Sequence, residues 1–349
     1  MTNLLGMTKN EIQTVSERLG FEKYRGGQIY LWACKGTAVS EMSNLPKAVR
    51  EKLLENGYDT VLPEIREKYV SKIDGTVKYL FELSDGELIE SVVMKYEHGN
   101  TICVSCQAGC RMGCRFCAST LRGKDRDLHF SEILGQVYKA QLDYGERISN
   151  VVMMGIGEPL DNYENSVAFI RAAGNPDGLN IGLRHISLST CGVVSGIDRL
   201  AEEDLPITLS ISLHCIDTEK RRQLMPVTNK WSVEELLSAC RRYFEKTGRR
   251  ISFEYTLISG ENDTEEQARE LAKGLKRQTG GMPLHVNLIP LNSVSERNLE
   301  TSNPASVRKF QQTLVSMGVN ATVRRKLGPD INASCGQLRY NGNRKEEGQ

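Results

Sequence analysis

The stretch Cys103-Val-Ser-Cys-Gln-Ala-Gly-Cys-Arg-Met-Gly-Cys-Arg-Phe-Cys117 holds five of the ten cysteines of the chain. Within it, Cys110, Cys114 and Cys117 are separated by three and then two residues, and Phe116 precedes the last of them. Thiolates are soft ligands that suit iron–sulfur clusters, zinc or copper(I). Three such ligands on one loop can hold three irons of a cubane and leave the fourth iron open to a small molecule. This loop therefore predicts an iron–sulfur cluster with one open iron.

Zinc binding and disulfide formation are alternative uses of these cysteines. A structural zinc site commonly takes four ligands in two pairs far apart in sequence; Cys106 could be the fourth ligand, but no second pair follows. A disulfide framework is disfavoured because the chain is long and shows no secretory segment. The remaining thiols, Cys34, Cys191, Cys215 and Cys240, are scattered among apolar residues, as buried cysteines are. The cluster is the favoured interpretation.

The composition is that of an ordinary globular protein. The chain has 349 residues, of which 39% are hydrophobic, so one large domain or two are expected. The N-terminus lacks the charged start and apolar block of a signal peptide. No run approaches the ~18 apolar residues that a membrane span needs. We therefore expect a cytoplasmic protein, in a reducing compartment that keeps cluster thiols free.

The net charge of +1, from 45 basic and 44 acidic residues, neither supports nor excludes a nucleic-acid partner. Such binding depends on local patches. Three basic clusters occur, which are either solvated faces or candidate contacts for RNA phosphates: Arg111, Arg115, Arg122, Lys124 and Arg126; Arg249 and Arg250; and Arg324, Arg325 and Lys326.

Periodicity divides the chain into four parts. Residues 1–65 read as a small helical module, which either binds nucleic acid or braces the core. Residues 66–95 are rich in β-forming residues and carry the hairpin signal Asp85-Gly86. From 96 to 329, strands and helices alternate about six times, which indicates parallel βα units and an incomplete (β/α)6 barrel. Residues 330–349 form a C-terminal segment whose polar end, 341–349, is expected to be unstructured.

Candidate functional side chains follow the predicted strands, where parallel α/β folds collect their reactive groups. Glycine in Gly155-Ile-Gly157 lets a ligand approach the backbone, and Glu158 could accept the ammonium of a bound amino acid. Four further strand-end residues could bind hydroxyl or carboxylate groups, although each alone is more often a core residue: Ser189, Ser212, His214 and Asn292.

Cys335 lies after the last predicted strand, where neither a cluster nor a packed core requires a thiol. It is either a small buried residue or a nucleophile, which it becomes once a base or a lowered pKa favours its thiolate. Cys103 could meet Cys335 in space and form a transient disulfide, and labile bridges of cytosolic proteins are typically catalytic.

The cysteine spacing resembles the radical S-adenosylmethionine signature, in which the free iron chelates the amine and carboxylate of that cofactor. Nearly the whole chain resembles the radical S-adenosylmethionine RNA methyltransferases that act on carbon 2 of adenosine in 23S ribosomal RNA and tRNA. The marks of this family occur here in order: Cys-Val-Ser-Cys-Gln-Ala-Gly-Cys, Gly-Ile-Gly-Glu-Pro-Leu, His-Ile-Ser-Leu-Ser-Thr, Ile-Ser-Leu-His, Leu-Met-Pro-Val, His-Val-Asn-Leu-Ile-Pro-Leu-Asn, Val-Arg-Arg and Ala-Ser-Cys-Gly-Gln-Leu.

The resemblance implies a two-stage mechanism with one [4Fe-4S] cluster and two molecules of S-adenosylmethionine per turnover. One cofactor methylates Cys335, and a second, at the cluster of Cys110, Cys114 and Cys117, yields a radical that activates the S-methyl group. Glu90 then takes a proton, and Cys103 attacks the bridging sulfur. The implied cofactor contacts are Gly157, Glu158, Ser189, Ser212, Leu213, His214 and Asn292.

The same resemblance implies the partners 23S rRNA, tRNA and an electron donor such as flavodoxin or ferredoxin, with no membrane and a monomeric chain. Two positions depart from the family pattern. Cys106 stands where serine is usual and adds a thiol that could compete for iron. Cys215 stands where a small residue is usual, next to the expected cofactor contact His214.

Two rival functions are open. A sister enzyme methylates carbon 8 of the same ribosomal adenosine and confers antibiotic resistance; Pro159 after Gly-Glu matches the carbon-2 group, whereas the sister group tends to alanine. The second rival is a zinc-containing nucleic-acid-binding protein without catalysis.

Overall fold

Ten strands form one continuous sheet in the computed structural model, which describes residues 1–339. The predicted unstructured end, 341–349, lies outside these residues. In sheet order, and numbered along the chain, its strands are β14 Ala321–Val323, β13 Leu284–Pro290, β12 Ile251–Leu257, β11 Thr208–Ser212, β10 Ile186–Thr190, β9 Ile148–Met153, β6 Gly99–Cys103, β5 Leu88–Tyr96, β4 Val77–Glu82 and β3 Glu64–Val70. Neighbouring strands from β6 to β14 are parallel, whereas β3, β4, β5 and β6 pair antiparallel.

The N-terminal part is helical, and a short parallel pair of strands joins its two ends. Its elements are β1 Thr2–Asn3, α1 Lys9–Arg18, α2 Lys23–Ala33, α3 Lys47–Glu55 and β2 Tyr58–Asp59. Side chains between Leu4 and Tyr58 form a hydrophobic core of their own, separate from the main core. Pro46 is the N-cap of α3, and the first turn of the helix begins after it, at Lys47. The predicted helical module is confirmed, while its boundary at residue 65 stays a prediction.

The antiparallel extension consists of β3 Glu64–Val70, β4 Val77–Glu82, β5 Leu88–Tyr96 and β6 Gly99–Cys103. The predicted turn at Asp85-Gly86 joins β4 to β5, and Gly86 adopts the positive φ of 88° that such a turn needs. This extension continues the barrel sheet, because β6 pairs with β5 on one side and with the next parallel strand on the other.

Six βα units and a short seventh strand make up the parallel part. Their bounds are β6, α4 Phe130–Tyr144, β9 Ile148–Met153, α5 Tyr163–Ala173, β10 Ile186–Thr190, α6 Val194–Leu200, β11 Thr208–Ser212, α7 Thr218–Leu224, α8 Val233–Thr247, β12 Ile251–Leu257, α9 Glu265–Gln278, β13 Leu284–Pro290, α10 Pro304–Ser316 and β14 Ala321–Val323. The hairpin β7 Gln107–Gly109 and β8 Lys124–Asp127 is inserted between β6 and α4. The predicted incomplete barrel is confirmed, and its strand ends converge on one edge.

Short 3-10 helices occupy several connections: Leu4–Gly6, Val39–Glu41, Ala118–Thr120, Leu183–His185, Pro226–Asn229 and Pro329–Ile331. The spacing of Ser232 with Glu235 and of Thr264 with Gln267 in the sequence predicts capping boxes, and both are present: each pair satisfies free backbone N–H groups at a helix start. Helices α5, α6 and α7 and the β7–β8 hairpin were not predicted from the sequence.

Candidate active site

The three signature cysteines lie on the loop between β7 and β8. Hydrogen bonds within the loop define its shape: the N–H of Cys110 donates to the carbonyl of Gly123 at 2.7 Å, and the N–H of Cys117 donates to that of Cys114 at 3.1 Å. Burial raises the pKa of Cys110 to about 12 and also raises that of Cys114. Bound metal must therefore supply the positive charge that makes them thiolates.

One cavity at the carboxyl ends of the strands collects the signature cysteines and most of the predicted cofactor contacts. The predicted residues that line it are Cys110, Cys114, Cys117, Gly157, Glu158, Ser189, Ser212, His214, Asn292 and Cys335. They come from six separate parts of the chain. Convergence of this kind follows from the parallel sheet, which ends all its strands at the same edge.

Gly157 brings backbone close to the cluster side of this cavity. Its φ is 111°, and a Cβ atom there would lie 2.7 Å from Cβ of Gln107. Only glycine fits this backbone without strain.

The carboxylate of Glu158 is buried and already accepts two backbone hydrogen bonds, from Cys191 N–H at 2.7 Å and from Leu160 N–H at 3.0 Å. Burial raises the pKa of Glu158, and these amide donors act in the opposite direction. Each carboxylate oxygen retains a second lone pair, so Glu158 can still accept a ligand ammonium.

His214 contributes a neutral ring to the cavity. Its Nδ1 accepts the N–H of Thr256 at 2.9 Å, which leaves the ring proton on Nε2. Burial lowers the pKa of His214 to about 3. The ring packs edge-on against Phe116 of the cysteine loop, with centroids 4.7 Å apart. This contact couples the loop to the end of β11.

The side-chain amide of Asn292 indicates that a ligand with hydrogen-bond donors fits this cavity. Its Nδ2 donates to the carbonyl of Cys335 at 3.1 Å, whereas its buried Oδ1 has no hydrogen-bond partner among residues 1–339. A buried, unpartnered amide oxygen at a cavity wall is expected to receive a donor from a ligand. The amine and hydroxyl groups of S-adenosylmethionine provide such donors.

The sulfur ligands fit a cluster better than a single ion. Within the described part of the chain, no three His, Cys, Asp or Glu side chains converge closely enough to hold one metal ion. Ligands of a cubane bind different irons and need not meet at one point. A structural zinc site, by contrast, requires four ligands around one ion.

Cys335 also lines a second, adjoining cavity, together with Cys103. Asn292, Arg324 and Met154 border both cavities. The segment that carries Cys335 is attached to the cluster loop: Ala118 N–H donates to the carbonyl of Gly336 at 2.8 Å. Cys335 thus lies where the two cavities meet, and both thiols are free.

Cys103 is the more deeply buried of these two thiols. Burial raises its pKa to about 12, the nearby Cys335 acts in the same direction, and Arg324 opposes them. Cys103 therefore stays protonated at neutral pH until a base accepts its proton.

Glu90 lines neither cavity. The register pairs Val92 with both Lys78 and Cys103, so these residues and Glu90 share one face of the sheet. Nζ of Lys78 is 3.1 Å from Oε1 of Glu90, and Arg339 N–H donates to Oε2 at 2.7 Å. Burial raises the pKa of Glu90, while Lys78 opposes this.

Three other residues that the sequence analysis singled out do not line the cavity. The side chain of Leu213 is buried and does not line the cavity, although the residue lies between two that do. Cys106 and Cys215 are buried and line neither cavity. The prediction that Cys106 could compete for iron stays a prediction.

Several basic residues of the first cluster are neutralised within the chain. Arg111 pairs with Asp161, Lys124 pairs with Asp161 and Asp127, and Arg126 pairs with Asp85 and Glu132. Arg324 points into the cavities, whereas Arg250, Arg325 and Lys326 are exposed. The exposed residues are thus better placed to meet a phosphate backbone.

Two residues at the site have no functional role that their sequence context predicts. Lys78 lies in the stretch that is predicted to form strands, but no sequence pattern places it beside Glu90, which lies in the neighbouring strand. Arg324 was noted only as part of a basic run, although it borders both cavities.

The helices of residues 1–339 include none with the length and apolar character needed to cross a membrane.

Two family models match the chain. The model of the radical SAM superfamily matches residues 104–272, and the model described as the N-terminal domain of a ribosomal RNA large subunit methyltransferase matches residues 2–58. The first covers the cysteine loop and most of the barrel, and the second covers the helical part.

Curated relatives align along nearly the whole chain. The probable dual-specificity RNA methyltransferase RlmN of Clostridium novyi is 51% identical over 343 residues, 98% of either chain. The protein of the same name from Clostridium tetani is 53% identical over 97% of this chain and 96% of its own.

A solved structure shows the same architecture. The radical SAM methyltransferase from Sphaerobacter thermophilus superposes with a TM-score of 0.90 at 39% identity, over 97% of this chain and 99% of that one. A [4Fe-4S] cluster and S-adenosylmethionine are the cofactors of this group, and the cavity described above fits both. With a cysteine loop, a barrel and an N-terminal helical part that all match over almost its full length, the chain belongs to the RlmN family of radical SAM RNA methyltransferases.

Proposed function

We propose that this protein methylates carbon 2 of adenosine in 23S rRNA and in tRNA through a methyl group carried by Cys335. Cys110, Cys114 and Cys117 hold the cluster in this proposal. Glu90 is the proton acceptor and Cys103 the resolving thiol. S-adenosylmethionine contacts Gly157, Glu158, Ser189, Ser212, Leu213, His214 and Asn292, with Leu213 contributing through its backbone.

The position of Cys335 at the meeting point of two cavities is the observation that carries the proposal. On one side lie the three signature cysteines and the polar strand ends. On the other side lies Cys103. A carrier sulfur must reach both a methyl donor and a release thiol, and this location allows both.

Cys335 acts first, when its thiolate attacks the methyl group of one S-adenosylmethionine and displaces the thioether. When bound, the reduced cluster and a second S-adenosylmethionine supply the radical that removes hydrogen from this S-methyl group. Carbon 2 of adenine is a poor nucleophile, so direct displacement would not methylate it. The carbon radical on the sulfur of Cys335 adds to carbon 2 instead and forms the new carbon–carbon bond. The adduct then loses one electron, which the oxidised cluster would take back, and the proton of carbon 2.

Release of the product depends on the residues around the second cavity. Glu90 accepts the proton lost from carbon 2, and Lys78 favours the carboxylate form that can do so. The thiol of Cys103 attacks the sulfur of Cys335; a sulfur–sulfur bond forms as the sulfur–carbon bond breaks, and the freed carbon takes up the proton that the Cys103 thiol loses. An external reductant then reopens the disulfide.

RNA must present an unstacked base to this site, because a stacked adenine hides its ring edge. The exposed residues Arg250, Arg325 and Lys326 are candidates for phosphate contacts. We further propose that a flavodoxin or ferredoxin reduces the cluster and that the chain acts as a monomer.

Product mapping tests the proposal directly. The anaerobically reconstituted enzyme is incubated with S-adenosylmethionine, reductant and either an rRNA fragment or tRNA, and the digested nucleosides are identified by mass spectrometry. We expect 2-methyladenosine from both RNAs. Formation of 8-methyladenosine would instead identify the sister activity, and absence of any methylated adenosine with an intact cluster would reject the proposed reaction.

A further inference from the structure

Arg221 in α7 is a fully buried arginine, with 1% of its surface exposed. Its guanidinium donates four hydrogen bonds, all to neutral acceptors: the carbonyls of Leu213 at 2.9 Å, Ser212 at 2.9 Å and Cys191 at 2.6 Å, and the hydroxyl of Thr228 at 2.7 Å. No carboxylate of residues 1–339 forms an ion pair with it. Its positive charge is therefore uncompensated in the described chain.

A buried charge of this kind is costly. Removing an ion from water costs several kcal/mol even after the protein relaxes, unless an opposite charge lies nearby. These four hydrogen bonds engage N–H groups of Arg221, but their neutral acceptors do not neutralise its positive charge. A neutral side chain of similar shape could hold the same strand ends together at lower cost, so the fixed charge calls for a negative partner.

The cluster loop lies against the segment that carries Arg221. The N–H of Arg115 donates to the carbonyl of Leu224 at 2.9 Å, and a Cβ atom on Gly113 would lie 3.3 Å from Pro226. Met225 lines the same cavity as Cys110 and Cys114. The carbonyls of Ser212 and Cys191, which accept hydrogen bonds from Arg221, belong to residues that line this cavity as well. The charge thus lies against the wall of the cavity that contains the proposed cluster ligands.

We propose that Arg221 is the fixed counter-charge of the iron–sulfur cluster. The inference rests on the proposed ligation by Cys110, Cys114 and Cys117. A cluster with three thiolate ligands is negatively charged, and reduction adds another negative charge, so a buried cation behind it favours the reduced state. Arg221 does not line the cavity and is therefore a positioning residue. Through Ser212 and Cys191 it also orients the ends of β10 and β11.

The first test compares Arg221→Gln with Arg222→Gln in the reconstituted holoenzyme. Arg222 is the exposed neighbour on the same helix and pairs with Glu219, so it is the matched control. The fraction of reduced cluster is followed by electron paramagnetic resonance during a redox titration. We expect Arg221→Gln to lower the ratio of reduced to oxidised cluster about tenfold at a given potential, which is about 59 mV for one electron, and Arg222→Gln to match the wild type.

A second pair of variants separates charge from hydrogen bonding. Thr228→Asp places a carboxylate against the guanidinium and neutralises Arg221 without removing it, whereas Thr228→Asn has a similar shape and no charge. We expect Thr228→Asp to shift the titration in the same direction as Arg221→Gln, and Thr228→Asn to stay within about twofold of the wild type. This pair carries the test if Arg221→Gln does not fold.

Equal titrations for Thr228→Asp and Thr228→Asn would overturn the proposal, as would a wild-type titration for Arg221→Gln with full iron content. Such results would leave Arg221 as a structural link between strand ends. Failure of the proposed ligand set is distinguishable, because it would appear as missing iron and sulfide in the wild type itself.

Discussion

Nζ of Lys78 lies 3.1 Å from Oε1 of Glu90, and both residues are buried on the face of the sheet that carries Cys103. Burial shifts a carboxyl group towards its protonated form, which cannot accept a proton. Burial raises the pKa of Glu90 and Lys78 opposes that rise. Lys78 therefore favours the ionised form of a buried base.

Replacing Lys78 by methionine should raise the pKa of Glu90 further. Because the base must be ionised to act, the acidic limb of the methylation rate should move to higher pH, with a loss of up to about tenfold at pH 7 for each pKa unit. Lys78→Arg, which retains the charge, should keep most of the activity at pH 7. The pH dependence of single-turnover methylation measures this, and an unmoved acidic limb in Lys78→Met would argue against Glu90 as the base.

The two reactive cysteines should fail at different stages. Cys335→Ala should lose turnover while retaining the iron and sulfide of the wild type, because it lines the cofactor cavity without being a proposed ligand. Cys103→Ala should accumulate a covalent complex between Cys335 and RNA, since the attacking thiol is absent. Denaturing electrophoresis detects the complex, and Cys215→Ala is a control because that thiol lines neither cavity. Undiminished methylation by Cys335→Ala would refute the carrier role.

Asn292 should contribute to cofactor affinity through its unpartnered Oδ1 and to Cys335 position through Nδ2. Asn292→Ala should weaken binding of S-adenosylmethionine about fivefold to tenfold, the equivalent of one hydrogen bond. Asn292→Asp keeps an acceptor but loses the donor, so it should bind the cofactor better than Asn292→Ala while turning over slowly. Equilibrium binding and single-turnover rates separate the two effects; equal cofactor affinity in Asn292→Ala and wild type would contradict the contact.

His214 should make folding stability fall at mildly acidic pH. Its pKa is lowered to about 3 in the folded protein, so below the usual value of 6.5 the unfolded chain binds a proton that the folded chain does not. Between pH 7.5 and 5.5 this loses about 1 kcal/mol of unfolding free energy. In His214→Gln the loss should be smaller by about that amount. Urea unfolding at the two pH values checks it, and identical pH dependence in both proteins would contradict a neutral buried ring.

Gly157→Ala should be destabilising, because a Cβ atom would meet Gln107 at 2.7 Å and the positive φ is strained for alanine. A loss of about 1–3 kcal/mol is expected, with weaker cofactor binding. Gly27→Ala is the matched control: it lies inside α2, nothing stands within 4 Å of its added Cβ, and it should stabilise by about 0.5–1 kcal/mol. Thermal unfolding of the two variants gives the comparison, and equal melting temperatures would count against strain at Gly157.

Features that depend on the spacing of residues within a short stretch can be predicted from the sequence. Cys110, Cys114 and Cys117 needed only their separation to predict a cluster loop, and the capping pairs Ser232 with Glu235 and Thr264 with Gln267 predicted helix starts, because both signals lie within a few residues. Alternation of strands and helices was enough for the incomplete barrel, since parallel strands require crossover helices.

Contacts between residues that are far apart in the sequence depend on the tertiary structure. Cys103 and Cys335 are far apart in the chain, and their shared cavity depends on how the C-terminal segment attaches to the cluster loop. Lys78 beside Glu90 required the strand register, and Arg221 behind Cys114 required the packing of a short helix that the sequence did not predict. Such contacts arise from long-range packing, which residue type and local periodicity do not specify.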